Sequence, residues 1–215
     1  MLLFLDVDGT LIPFGGTAPH PEYGPPSPAH PLLSRLDPSL GPRLLALGCE
    51  LTWATTWGDD ANTLLAPRLG LPVLPVVAWP DEATPPTEPP AGSSVEPPAE
   101  PPAEPPVEPR VEPPAEPSAG SSAGDERGRQ AADGVHWKTR PLVSLAAGRP
   151  FVWLDDEITD ADRAWVAARH PAPALLYRVH PAHALRAADL AAVAEWIAGP
   201  AGRPPLSDPA SMFSP

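Results

Sequence analysis

The first eleven residues restrict the possible fold more than any other stretch. Met1-Leu2-Leu3-Phe4-Leu5 is an uninterrupted apolar run, and it leads directly into Asp6-Val7-Asp8-Gly9-Thr10-Leu11. An apolar run of this length closed by a glycine predicts a strand buried on both faces, and such strands belong to parallel sheets covered by helices. Side chains alternate across a strand, so Asp6 and Asp8 share one side of an extended segment while Val7 takes the other. Two carboxylates at the end of a buried strand carry a desolvation cost that packing does not reward. Loops at the carboxyl ends of parallel strands are also where α/β folds bind ligands. The pair therefore points to chemistry, one carboxylate attacking while the other moves a proton.

The rest of the chain repeats the alternation of strand and helix. Apolar or β-branched runs predict further strands near residues 50 to 55, 73 to 78, 151 to 155 and 174 to 179, with helices near Pro38 to Gly48, from about Lys138 to Gly148, and over Asp160 to Arg169. This order predicts one α/β domain, a Rossmann-like doubly wound fold around a central parallel sheet with right-handed crossovers. Trp53 and Trp153 alternate with strand neighbours and read as core, and Trp165 and Trp196 fit apolar helix faces.

Three later segments bear polar groups where a crevice would form. Glu50-Leu51-Thr52-Trp53-Ala54-Thr55-Thr56-Trp57 ends a strand in hydroxyls. His136-Trp137-Lys138-Thr139-Arg140 opens a helix and contains the chain's one lysine, against thirteen arginines. A compact ammonium can neutralise a nucleophilic carboxylate and a transferring phosphoryl group together, which the wider guanidinium does poorly. Phe151-Val152-Trp153-Leu154 then terminates in Asp155-Asp156-Glu157-Ile158-Thr159-Asp160, four acids in six residues. Such clusters suit a hard divalent cation, and magnesium fits best because it takes one or two carboxylates plus a substrate phosphate oxygen. Asp162, by contrast, reads as a first-turn acid complementing the helix dipole.

These four segments, in this order, resemble the four motifs of the haloacid dehalogenase (HAD) superfamily, most of whose members are phosphatases that use magnesium and an aspartyl-phosphate. The resemblance covers nearly the whole chain apart from one insert and the tails. It implies that Asp6 is the nucleophile and Asp8 the acid/base, and that Lys138 is catalytic and contacts the phosphoryl oxygens. Thr55 or Thr56 would be the other phosphate contact. Metal ligation falls to Asp6, the Asp8 main chain, Asp156, Asp155 and Asp160, the last by its spacing of four from Asp156. Superfamily strand order would place the first strand between the second and the one over 151 to 155. In detail, Leu51 to Trp57 with Ala61-Asn62, the His136 to Arg140 segment and the Asp155 to Asp162 run look like small capless actinobacterial HAD proteins, similar to HAD domains grouped with RNA-repair proteins. The implied activity is hydrolysis of a phosphate monoester on a nucleotide, a nucleic-acid end or a small phosphometabolite. The alternative is a non-catalytic scaffold of the same fold.

That alternative would act through residues 81–134, which divide the chain into a first part over 1–80 and a second over 135–199, followed by a tail over 200–215. The insert holds fourteen prolines and a four-residue repeat with Glu at 96, 100, 104, 108, 112 and 116. Repeated Glu-Pro-Pro-Ala units lack the apolar content for a core and cannot be helical, so disorder with polyproline II character is expected. The repeat could reach roughly 70 Å at about 3.1 Å per residue. Residues 85–117 could dock a proline-recognition domain or shield the site, or be a neutral expansion of a tolerant loop. Between Thr10 and Pro38 the density of Pro and Gly predicts an irregular flap rather than a helical lid.

The insert also accounts for most of the acidity. Twelve acids and three arginines give it a net −9 of the formal −13. The remainder has no broad basic footprint for nucleic acid, leaving only a local patch of Arg140, Arg149 and Arg178 to consider. One cysteine, Cys49, excludes an internal disulfide, and no run is long and apolar enough to cross a membrane. Met1 to Leu5 has neither a basic flank nor a cleavage site, so a cytoplasmic location is expected. Trp57 and Trp137 adjoin proposed site residues and could flank the crevice or simply pack. His180 and His183, with Pro181 between them and no third ligand nearby, read as loop residues rather than a metal site.

Overall fold

The computed structural model describes residues 1–25, 30–79 and 134–199. Expectations for the proline-rich insert and the C-terminal tail lie outside these residues.

Four strands form one all-parallel sheet: β1 (Leu2–Leu5), β2 (Glu50–Trp53), β3 (Phe151–Asp155) and β4 (Ala174–Arg178), in the order β2-β1-β3-β4. The helices are α1 (Leu40–Ala46), α2 (Ala66–Leu69), α3 (Thr139–Ala146), α4 (Asp160–Arg169) and α5 (Ala187–Ala198). A short 3-10 helix over Pro31–Arg35 precedes α1, and one π-helical turn over Ala61–Leu65 runs into α2. The α/β class, the central position of β1 and the irregular segment after Thr10 agree with the sequence reading.

Alternation sorts the core into two layers. Leu3, Leu5, Leu51, Trp53, Val152 and Leu154 pack under α1, α2 and α5. Leu2, Phe4, Phe151, Trp153 and Leu176 pack against α3 and α4. Trp53 and Trp153 are both fully buried, one on each side. Because both faces are covered, β1 has no polar position until the sheet ends, which is why its sequence is apolar throughout.

One expected strand is not formed. Residues 73 to 78 contribute a single parallel bridge, Trp53 to Val76, through the Trp53 N–H to Pro75 O (2.8 Å) and the Val77 N–H to Trp53 O (2.9 Å). Pro72 and Pro75 lack the N–H groups that a longer ladder would need, so this segment only skirts β2.

The helices that frame the site have readable ends. Thr159 and Asp162 form a reciprocal capping box at the start of α4, which stops at His170 before Pro171. Asp189 accepts from the Arg186 N–H (2.7 Å) at the start of α5. Among the described residues, no helix is long and apolar enough to cross a membrane.

Candidate active site

Strand register brings the acids together. β1 and β3 pair Leu2 with Phe151 and Leu5 with Leu154, and the Asp6 N–H donates to Leu154 O (3.1 Å), so Asp6 continues the ladder beside Asp155. With a period of two, Asp6 follows Leu2 and Phe4 onto the α3 side, and Asp155 follows Phe151 and Trp153 onto the same side. The two carboxylates are thus neighbours at the carboxyl edge of the sheet, and Lys138, the residue before α3, closes over both. Its Nζ donates to Asp6 Oδ1 (2.7 Å) and to Asp155 Oδ2 (3.1 Å). Lys138 and Asp6 are each 1% exposed and Asp155 is wholly buried. A buried charge this deep persists only when paired, and the shared ammonium is what makes this acidic strand edge tolerable.

Lys138 is itself held from both sides. Asp162 Oδ1 accepts from the His136 N–H (2.7 Å) and the Thr139 hydroxyl (2.6 Å), and Asp162 Oδ2 accepts from the Thr159 N–H and hydroxyl. The fully buried Asp162 therefore ties the start of α4 to the start of α3, which extends its expected role as a dipole-complementing acid. The pattern Thr159-x-x-Asp162 was available as a signal. His136 Nε2 lies 3.0 Å from Glu157 Oε2, and the Lys138 N–H donates to His136 Nδ1 (3.3 Å).

Further donors meet the acidic oxygens. Thr10 donates to Asp6 Oδ2 (3.1 Å). Asp155 accepts from the Glu157 N–H (2.8 Å) and Trp153 Nε1 (3.2 Å). Trp57 Nε1 donates to Asp8 Oδ2 (2.8 Å), while the buried Asp8 Oδ1 has no hydrogen-bond partner among the described residues. Burial raises the Asp8 pKa, partly opposed by the Trp57 hydrogen bond and by the electrostatic influence of His30 and Lys138. Asp156 is pushed further, to about 7, by burial and then by the like charges of Asp155 and Glu157. Gly9, at φ +72°, leaves the room that Asp156 occupies, since a Cβ there would fall 2.4 Å from its carboxyl.

Asp6, Asp155 and Asp156 each offer an oxygen, and these atoms lie within 4.8 Å of one another. Two of these three carboxylates share the Lys138 ammonium, all the donors are hard oxygens, and among the described residues no thiolate or imidazole joins them. That donor set fits a magnesium-type cation. The Asp8 carboxylate stands outside this group, turned to Trp57. Asp160, expected as a ligand, is not brought to it either. Its fully exposed side chain pairs with Arg163 (2.8 Å) at the start of α4. Helix rotation, which spacing alone cannot reveal, carries it out to solvent.

The hydroxyls at the end of β2 remain candidates of different kinds. Thr55 is buried and its Oγ1 accepts from the Trp57 N–H (3.3 Å), leaving its own proton to donate. Thr56 Oγ1 is shielded and has no partner among the described residues. Trp57 meets His30 at a tilt (4.6 Å between ring centres), and Trp137 meets Trp79 edge-on at 4.7 Å, so each takes an aromatic neighbour as well as adjoining the site. The three arginines considered as a basic patch each have a partner of their own: Arg140 lies over Trp165, Arg149 pairs with Glu50, and Arg178 donates to Asp156 O.

Comparisons with protein-family models, with curated proteins and with solved structures give no match to this chain.

Proposed function

We propose that this chain is a magnesium-dependent phosphatase that cleaves a phosphate monoester through an aspartyl-phosphate, in the manner implied by its resemblance to the HAD superfamily. One observation carries the reading: the buried ammonium of Lys138 between Asp6 and Asp155, with Asp156 completing a compact carboxylate group at the sheet's carboxyl edge. A structural role would be met more cheaply by apolar residues of similar size.

In this proposal a carboxylate oxygen of Asp6 attacks phosphorus while the bond to the leaving oxygen breaks. Asp8, whose pKa is raised by burial, gives its proton to that oxygen. It then takes a proton from the water that attacks the phosphorus, and the Asp6–phosphorus bond breaks to free inorganic phosphate and regenerate the carboxylate. Trp57 orients Asp8 through Oδ2, leaving Oδ1 for proton transfer. Lys138 neutralises the charge on Asp6 and on the phosphoryl oxygens, and the hydroxyl of Thr55 or Thr56 donates to one of them. Asp6, Asp156 and the Asp8 carbonyl would hold the magnesium, with Asp155 supporting from behind because both its oxygens are already engaged. When bound, the ion supplies charge neutralisation to the transferring group. A cytoplasmic location belongs to the same proposal.

The test is magnesium-dependent release of phosphate from p-nitrophenyl phosphate by the full chain and by Asp6→Asn. Loss of at least about a thousandfold in the variant, with its fold retained, is expected when the nucleophile is removed. Comparable turnover in Asp6→Asn would refute the mechanism.

A further inference from the structure

A groove of about 580 Å³ lies away from the acidic cluster, between the segment that follows β1 and the loop that follows β4. In a parallel sheet covered by helices, this is the same edge to which strand ends and helix starts converge. The groove is lined by Arg35, Arg186, His20, His180 and His183. Its one acid, Asp37, already accepts from the Ser39 N–H (2.8 Å). Glu22 lies only in the adjoining hollow. The imidazoles of His180 and His183 stack 4.6 Å apart. Desolvation, then the charges of Arg186 and His180, lower the pKa of His183, with a smaller push from His20. These side chains come from three separate stretches of the chain, so local sequence does not force them together, and among the described lining residues the basic side chains outnumber the single carboxylate of Asp37.

The walls are fixed to the nucleophile loop. The Leu185 N–H donates to Thr10 O (2.8 Å), and the Thr10 hydroxyl donates to Asp6. The Phe14 N–H donates to Pro181 O (3.0 Å), and Arg35 Nη1 to Pro13 O (3.3 Å). Thr10 is thus the joint between the two sites. α5 also begins at the groove, where Asp189 in its first turn accepts from the Arg186 N–H and fixes the backbone that carries the Arg186 side chain.

We propose that this groove binds a second phosphate of the substrate, so that the protein acts on molecules carrying one phosphate to be cleaved at Asp6 and another held by Arg35, Arg186 and the histidines. This rests on the phosphatase reading above. Guanidinium groups and imidazole N–H donors spread over a wide concave surface suit a multiply charged tetrahedral anion better than a single carboxylate. Net acidity elsewhere on the chain makes the local reversal of sign selective.

The experiment compares the full chain with Arg186→Gln/His183→Gln, both sites being exposed. Substrates are p-nitrophenyl phosphate, a hexose bisphosphate, a nucleoside 3′,5′-bisphosphate and a phosphate-ended trinucleotide. In the double variant, the ratio of kcat/KM for a two-phosphate substrate over p-nitrophenyl phosphate is expected to fall about tenfold, mostly through KM. The arm that responds identifies whether the second phosphate comes from a sugar, a nucleotide or a nucleic-acid backbone. An unchanged ratio for every two-phosphate substrate would overturn the proposal. A binding arm separates it from the reading it rests on: the nucleoside bisphosphate is titrated calorimetrically into Asp6→Asn protein with and without the groove substitutions. Binding that depends on Arg186 and His183, together with no hydrolysis of any substrate by the parent chain, would keep the groove and remove the phosphatase. Hydrolysis that ignores both residues would do the reverse.

Discussion

The acidic strand edge and the cationic groove share one end of the sheet and are joined through Thr10, yet they are built on opposite principles. Asp6, Asp155 and Lys138 are buried, mutually bonded and set by strand register. Arg186, His180 and His183 are exposed and stand on loops or a helix start. In the first site charge is part of the fold's own interior, whereas in the second it is held ready at the surface. Removing a cation should therefore have different consequences in the two places.

Lys138→Ala gives the largest effect. It leaves two buried carboxylates without their ammonium, and breaking a buried pair in this way costs about 3–5 kcal/mol of stability. Arg186→Gln should stay within about 0.5 kcal/mol, as exposed substitutions do. Urea unfolding of the two variants beside the parent measures both. Equal midpoints for the parent and Lys138→Ala would mean that the ammonium is not needed by the folded chain, and the contrast between the sites would collapse.

A second test uses pH. The pKa of Asp156 is about 7, above its ordinary 3.8, so the folded chain holds a proton there that the unfolded chain has released. Without metal, this contribution to stability is present at low pH and is lost as pH rises from about 4 through 7. The rise of the Asp8 pKa has the same sign. Magnesium needs the deprotonated carboxylate, so its affinity should fall about tenfold for each pH unit below 7. The gain in Tm on adding magnesium should accordingly be larger at pH 8 than at pH 6. A gain independent of pH would detach Asp156 from the metal. Calcium, also a hard oxygen-seeking ion, should follow the same trend, which distinguishes titration of the ligands from a property of magnesium.

What could be read from the sequence follows the same division. Apolar runs ending in acids carry their own geometry, because a period of two assigns each side chain a face; β1, β3 and the meeting of Asp6 with Asp155 follow from that. Lys138 was legible as the single lysine at a helix start, although its anchoring by Asp162 depends on two helices packing together. Residues 73 to 78 had strand-like composition, but Pro72 and Pro75 removed the donors that pairing requires. The groove had no periodic signal at all. Its cations come from residues 20, 35 and 180 to 186, among prolines and glycines, and only tertiary contacts such as Leu185 to Thr10 bring them together.

The smallest expected effect is the one that best separates spacing from geometry. Asp160 stands four residues after Asp156, a spacing that suggests a ligand, but α4 turns its carboxylate fully into solvent, where it meets Arg163. Asp160→Ala should change the magnesium concentration for half-maximal activity by less than about twofold, because an exposed pair of this kind contributes little and lies outside the carboxylate group. Asp156→Ala, four residues earlier in the chain, should raise it by about tenfold or more, since even the outer-shell partners of a metal are worth about that much. If Asp160→Ala instead matched Asp156→Ala, the start of α4 would have to rotate inward when metal binds, and the Thr159–Asp162 box that now fixes it would have to open.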